Sequence, residues 1–397
     1  MRLPPLPFEA KPVRRIARIR PEELLNYAFD EPVVLTGCMD EWRLYQELRA
    51  ATTHEQKMAV LGSLIGERPV TFHRLPREHK GQFHFQPDNL ERLTFGKSTK
   101  QADVPFDAFA SQALQSLRGA SGDYVYMQAH YIPPATPLFE ALGPNVLSFL
   151  REDQVHATLW VGSNGQVVNL HYDDFLTFIC MADGVKRVTL FAPDLLPYIY
   201  QAPFDRMIEC AQVSLVRLLE LDLKRYPLFA EALKDARVVE LQPGEVLLVP
   251  PMWWHHVESF GLNVMVNNRV FFASFEHFEE VYANLTHAVR LFVHVPAEQR
   301  ARAMALYQQT LFAPGGVVEP TSSHAAALAE ETPEQARHRA TTRRLAEGLP
   351  EFLRKHLARY YSHFVFQASG DPHPSLPGAF AAMVERNANA PTFFPRD

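Results

Sequence analysis

Cysteine is scarce in this chain. Cys38, Cys180 and Cys210 are the three in 397 residues, an odd number with no tight spacing. That excludes a disulfide framework and a zinc-finger motif, and favours a reducing compartment. A basic excess is missing as well: 39 Lys and Arg stand against 45 Asp and Glu, a net charge of −6. General nucleic-acid binders carry the opposite balance, so nucleic acid is not the expected partner. No apolar run approaches the roughly 18 residues that cross a bilayer. The opening Met1-Arg2-Leu3-Pro4-Pro5-Leu6-Pro7 has no apolar stretch of the signal-peptide kind. The expectation is a soluble, cytoplasmic protein with no membrane role.

What the chain does have is enough apolar residue, 47%, for a large core. Three regions are expected. Residues 1–120 read as mixed α/β. Pro32 to Gly37 reads as a short buried strand, and Pro21 as the first position of a helix. A further helix is predicted from Val104-Pro105-Phe106 to about Leu117. Residues 121–275 turn to β. Strands are predicted at Tyr124–Gln128, Ala157–Gly162, Val167–Tyr172, Val238–Leu241, Val246–Val249 and Leu262–Val266. Phe175–Met181 and Val185–Phe191 flank Asp183-Gly184, which reads as a hairpin turn. Leu215 to Asp235 reads as a helical insertion. Short strands separated by Gly and Pro turns suggest a barrel or sandwich. Residues 276–397 turn helical. Phe278, Val281, Tyr282, Leu285, Val289 and Phe292 form one apolar stripe, and Leu353, Leu357, Tyr360, Tyr361 and Phe364 another. The Arg337–Arg344 basic cluster reads as a solvated face.

Two segments of the β region carry metal chemistry. His171-Tyr172-Asp173 puts an imidazole and a carboxylate two positions apart, and residues i and i+2 of a strand share a face. Both can then reach one metal while Tyr172 faces away. Eighty-two residues further on, Trp253-Trp254-His255-His256 follows the strand-like Glu245–Pro250. Two adjacent His cannot both point inward from a strand. Spacing alone does not say which is the ligand. Two His and one carboxylate with open positions is the arrangement of non-haem Fe(II) oxygenases. The bland alternative is a barrel rim with hydrogen-bonded histidines. By pattern alone, Lys186 reads as a solvent-facing lysine near a strand end.

Taken in order, several motifs resemble one family. They are Leu159-Trp160-Val161-Gly162, His171-Tyr172-Asp173, Gly184-Val185-Lys186-Arg187-Val188-Thr189-Leu190-Phe191, Tyr198-Ile199-Tyr200, Pro243-Gly244-Glu245-Val246-Leu247 and Pro251 to Ser259. The chain resembles the cupin-type JmjC oxygenases over most of residues 13–272, and within them the asparaginyl hydroxylase branch that acts on hypoxia-inducible factor. The resemblance implies a double-stranded β-helix (cupin, jelly-roll) barrel with a C-terminal helical unit. It implies His171, Asp173 and His255 as Fe(II) ligands and catalytic residues. It implies 2-oxoglutarate as co-substrate, with Lys186 on its distal carboxylate, Tyr126 beside it, and Thr177 and Asn267 lining its pocket. O2 is the oxidant, the reaction is hydroxylation of a C–H bond, and the expected substrate is an amino-acid side chain in a protein or peptide. The alternatives are tRNA, a small metabolite, or a cupin that binds metal without turnover. Two positions depart from the branch: Val168 replaces a threonine, and Arg269 replaces an aromatic residue. The C-terminal stripes imply a homodimer, the arrangement of the resembling branch.

Overall fold

The computed structural model describes residues 3–24, 31–83, 98–120, 122–148, 150, 155–173, 175–200 and 212–270. The expected C-terminal helices, both apolar stripes and the basic cluster lie outside the described residues, as does Cys210. In chain order the strands and longer helices are β1 (Lys11–Pro12), β2 (Arg14–Ala17), the one-turn α1 (Pro21–Leu24), β3 (Val33–Thr36), α2 (Arg43–Ala50), α3 (His54–Ile65), β4 (Val70–Pro76), β5 (Thr99–Val104), α4 (Phe106–Leu117), β6 (Asp123–Tyr131), β7 (Val155–Gly162), β8 (Val167–Tyr172), β9 (Leu176–Phe191), β10 (Gln212–Val213), β11 (Arg237–Leu241), β12 (Glu245–Val249) and β13 (Trp254–Val270).

The fold is a jelly-roll barrel organised by two long antiparallel strands, β9 and β13. They pair from Trp254 opposite Phe191 to Val270 opposite Leu176. The first half of β9 also pairs with β12, and its second half with β11. β13 likewise pairs with β8 near its start and with β7 near its end. One ribbon therefore belongs to both walls, and the walls close because the ribbon bends in the middle. The bend is visible in the register, which shifts between the Phe260 and Val264 pairs and again before Met265. Gly184 and Gly261 supply the backbone freedom there, at φ +76° and +73°. A Cβ on Gly184 would lie 2.2 Å from the Leu262 carbonyl oxygen, so only glycine fits this crossing.

This corrects the hairpin expected at Asp183-Gly184. β9 runs unbroken through both residues. An Asp-Gly pair favours positive φ, which serves a bulge as well as a reversal; the local signal cannot choose between them. The bulge changes the alternation of β9, so odd-numbered residues before it and even-numbered residues after it share one face. Ile179 and Met181 before it, and Val188 and Leu190 after it, join Leu247, Val249, Trp253, Val257 and Met265 in one buried cluster. Each such buried aliphatic contributes roughly 1.5–3 kcal/mol.

The predicted strands at 124–128, 157–162, 167–172, 238–241 and 246–249, and the helix ending at Leu117, all have observed counterparts. The predicted strand at 262–266 is the middle of β13. The helical insertion over 215–235 is mostly turn, with a 3-10 turn at Leu218–Glu220 and a five-residue helix at Phe229–Leu233. Its leucines alternate with too many charges to leave a continuous apolar stripe. Helices α2 and α3 went unpredicted. α3 starts on a capping box, in which the Thr53 hydroxyl accepts from Gln56 N and the Gln56 side chain accepts from Thr53 N. Lys57 on α3 reaches both oxygens of Asp183, at 2.7 Å each, and ties the helix to the bend of β9.

Candidate metal centre

β8 and β13 are antiparallel neighbours, and His171 lies directly opposite His255. Their rings approach to 4.1 Å between centroids. Asp173 follows the end of β8, and its backbone carbonyl accepts from Met252 N at 2.7 Å. That bond ties the exit of β8 to the turn that launches β13. Met252 holds a left-handed φ of +67° in this turn, which a non-glycine residue adopts only when its surroundings impose it. The turn separates the strand over 245–249 from the one that carries His255. β12 stops at Val249, and His255 is the second residue of the next strand.

Ligand-capable atoms of His171, Asp173 and His255 all lie within 4.8 Å of one another. His255 Nε2 is 3.8 Å from an Asp173 carboxylate oxygen. Each imidazole is held the same way. His171 Nδ1 lies 2.7 Å from the Asn169 carbonyl, and His255 Nδ1 lies 3.0 Å from the Trp253 carbonyl. A carbonyl only accepts, so both Nδ1 atoms carry the proton and both Nε2 lone pairs are left for a ligand. Burial pushes His255 down to about 4, and His171 lowers it further while Asp173 opposes. The ring is therefore neutral near pH 7, as metal ligation requires.

His256 is not in this cluster. It pairs with Thr189 and is fully buried on the opposite face, and burial pushes it down to about 3. Tyr172 and Trp254 also face away and pack edge-on at 4.9 Å. The adjacent-histidine ambiguity is thus decided by pairing register.

The register between β8 and β13 shifts between the His171–His255 and Val168–Val257 pairs. Three residues of β8 are spent against two of β13, so Val168 comes to the same side as His171. Val168 packs with Trp160 against the barrel cluster and against Leu75, Phe83 and Tyr126.

Lys186 is 1% exposed. The solvent-facing reading of its local pattern is therefore overturned: β9 is central, with β11 and β13 on either side. Its ammonium donates to the Ser259 hydroxyl at 2.8 Å and lies 5.9 Å from the Tyr126 ring centroid. Among the described residues no carboxylate faces it, and burial lowers it to about 7. Tyr126 is buried, which raises its phenol, and its ring lies 5.8 Å from Trp160. Thr177 and Asn267 are buried on the barrel-facing sides of β9 and β13. Thr177 Oγ1, Asn267 Oδ1 and Asn169 Oδ1 have no hydrogen-bond partner among the described residues. Such orphans are costly in a closed core and make sense where a polar ligand completes them. Sequence reasoning missed Ser259 and Asn169. Ser259 is four residues from His255 on the same strand face, and alternation could have found it; nothing local marks Asn169.

A barrel on which two imidazoles and a carboxylate converge from adjacent strands, a group that could hold a metal ion, is the architecture of a cupin. The chain belongs to the cupin-like domain family, whose model matches residues 25–276. HSPB1-associated protein 1 of Homo sapiens is 33% identical over 153 residues, covering 38% of this chain and 30% of that protein. The tRNA wybutosine-synthesizing protein 5 of Mus musculus is 31% identical over 133 residues, covering 32% of this chain and 39% of that protein. Jumonji C domain-containing protein 5 of Drosophila melanogaster is 33% identical over 119 residues, covering 29% and 28%. The chain thus spans about a third of the length of these relatives. The JmjC cupin resemblance of the sequence is borne out at the level of the family, which is one of oxygenases and hydroxylases.

Proposed function

We propose that this protein is an Fe(II)- and 2-oxoglutarate-dependent oxygenase that hydroxylates a C–H bond, with an amino-acid side chain of a protein or peptide as substrate. The observation that carries the reading is one barrel holding both a His–His–Asp cluster and a buried ammonium with no acid partner among the described residues. His171 Nε2, His255 Nε2 and an Asp173 oxygen form a donor set suited to a divalent first-row metal, and no thiolate is among them. Lys186, with Ser259 and Tyr126, forms a site for one carboxylate end of a diacid. Thr177 and Asn267 offer polar atoms inside the barrel for its other end.

Bound Fe(II) with 2-oxoglutarate and O2 would supply the oxidising chemistry. The chain's own residues bind, orient and exclude water. The Asn169 and Trp253 carbonyls hold both imidazoles in one tautomer. Lys186 keeps its proton as the anion arrives, because the carboxylate restores the charge balance that burial had removed. Val168 and Trp160 keep the wall between the cluster and Tyr126 apolar.

The test is succinate formation from 2-oxoglutarate with peptide pools, Fe(II) and O2, read beside a +16 Da mass gain in the peptide. Turnover with tRNA alone would move the substrate to the alternative that the mouse relative's name suggests. Metal binding without succinate under every condition would leave a non-catalytic cupin.

The domain reading follows the same logic. Residues 121–275 form the catalytic barrel, 1–120 its mixed α/β flank and 276–397 a helical region that makes a homodimer in the cytoplasm. Among the described residues no helix is long and apolar enough to cross a membrane. Light scattering near twice 45.2 kDa supports the dimer; a monomer at micromolar concentration removes it.

A further inference from the structure

We infer that Arg269 is the substrate-reading residue of this barrel, and that it takes a carboxylate of an acidic peptide lying across the rim where β8 gives way to β9. This rests on the oxygenase reading for what happens to the peptide, but not for its binding. β13 carries Arg269 opposite Thr177 on β9 and opposite His156 on β7. By strand alternation Arg269 is on the barrel-facing side with Met265 and Asn267. Its guanidinium lies 5.0 Å from the ring centroid of Phe175, which is two residues beyond Asp173. The cation is therefore held at the end of the barrel where β8 gives way to β9, on a ring two residues in sequence from Asp173.

Three observations point to a ligand. The first is that Arg269 Nε is covered from solvent and has no hydrogen-bond partner among the described residues. A guanidinium presents a rigid fork that matches a carboxylate in two bonds, and the stack on Phe175 leaves the Nε hydrogen of that fork to be taken. The second is that no carboxylate among the described residues is paired with it. His156, directly opposite, is pushed down to about 4 by burial and by Arg269 itself, so it is neutral near pH 7. The third is access. Next to His156 stands Tyr131, 4.9 Å between ring centroids and 41% exposed. The surface thus grades from the buried Thr177 through Arg269 and His156 to an exposed aromatic. A short acidic peptide suits it, with aromatic rings for the chain and a fork for the acid.

The co-substrate is not the anion meant. The distal carboxylate of the diacid is assigned to Lys186, which has its own hydroxyl and aromatic neighbours, and its other end to the neutral side chains of Thr177 and Asn267. The two uncompensated cations mark two different carboxylates.

The test uses two fluorescent peptide pools, identical except that one has Asp and Glu where the other has Asn and Gln, bound to the full chain loaded with Mn(II) and 2-oxoglutarate. The acidic pool is expected to bind more tightly, by about tenfold to a hundredfold. Arg269→Gln should remove that preference, and Arg269→Lys should retain only part of it. Arg269→Glu should favour a Lys- and Arg-containing pool. Thermal melting screens each variant for folding, and the Lys variant keeps the test open if the others fail. Equal binding of the two pools by the native protein overturns the proposal, as does an Arg269→Gln variant that keeps the preference. A weakened Kd for 2-oxoglutarate with an intact acidic preference also overturns it, by making Arg269 a co-substrate anchor. An Arg269-dependent preference without any succinate formation would sustain the docking site while removing the oxygenase reading.

Discussion

Two neighbouring cations on β9 meet opposite fates. Arg187 faces the outer side of the β9–β13 ribbon and is buried, 4% exposed by side chain, against Glu258 at 6%. The pair is bidentate, with Nε 2.7 Å and Nη2 2.6 Å from the two carboxylate oxygens. The Pro4 carbonyl accepts another of its hydrogens, and the guanidinium sits over the Phe260 ring. Lys186, one residue earlier, faces the inner side and is just as buried, yet among the described residues meets a hydroxyl and a ring and no carboxylate. Removing a charge from water is costly unless it is paired. The outer face resolves that cost internally, as a structural element would. The inner face leaves it open, as a binding site does. Strand alternation is what separates the two roles within one dipeptide.

The sharpest break of the comparison targets the candidate metal ligands His171, Asp173 and His255, which share the inner side with Lys186. His171→Ala, Asp173→Ala and His255→Ala should each abolish succinate formation. Each should also weaken Mn(II) affinity beyond the roughly 10–100-fold expected from outer-shell changes, as read by calorimetry. Full activity in any of them would remove that residue from the cluster.

Next comes the outer pair. Glu258→Ala strands Arg187 in the core and should destabilise the fold by about 3–5 kcal/mol in urea titrations. A loss under 1 kcal/mol would mean that water or the Pro4 segment compensates. On the inner face, Lys186→Met should do the reverse. The apo fold should be as stable as the native protein or more so, while the apparent KM for 2-oxoglutarate rises by about tenfold or more. An unchanged KM would show that another cation holds the diacid.

Stability against pH gives a smaller effect with a defined sign. Lys186 is lowered from 10.5 to about 7 by burial. The unfolded chain thus holds a proton that the folded one has released between those values. Stability from this group must rise with pH from about 7 to 10.5, the full burden being present below 7. The urea midpoint of Lys186→Met, compared with native at pH 7 and pH 9, should show its advantage shrink at the higher pH. A constant difference would mean that Lys186 does not titrate there. The smallest expected effect is at His256. His256→Ala should lower stability by about 1–3 kcal/mol as a cavity forms and leave Mn(II) affinity within a few-fold of native.

Much of the site was legible because its grammar is local. His-x-Asp in a strand puts both side chains on one face, and His171 and Asp173 do converge. The motif order of the family placed Lys186, Tyr126, Thr177 and Asn267, and each is buried in the barrel region. What was not legible depended on register. Asp183-Gly184 signals positive φ, but whether the chain reverses or only kinks depends on what approaches, and here the Leu262 carbonyl does. His255 and His256 are equivalent in composition; pairing with His171 on one side and Thr189 on the other distinguishes them. Lys186 looked exposed because its own segment carries no sign of the two strands that cover it.

The sequence by itself determined the class of the protein: a β-rich cupin with a two-histidine, one-carboxylate motif, few cysteines and no basic excess. Residue type, alternation and turn chemistry act over a few positions, and those are written in the chain. The tertiary structure decided the rest, namely which histidine faces inward, which of two adjacent cations is neutralised, and that Arg269 comes to lie over Phe175. Those outcomes depend on registers between strands up to about a hundred residues apart. A shift of one residue there would turn every side chain to the other face.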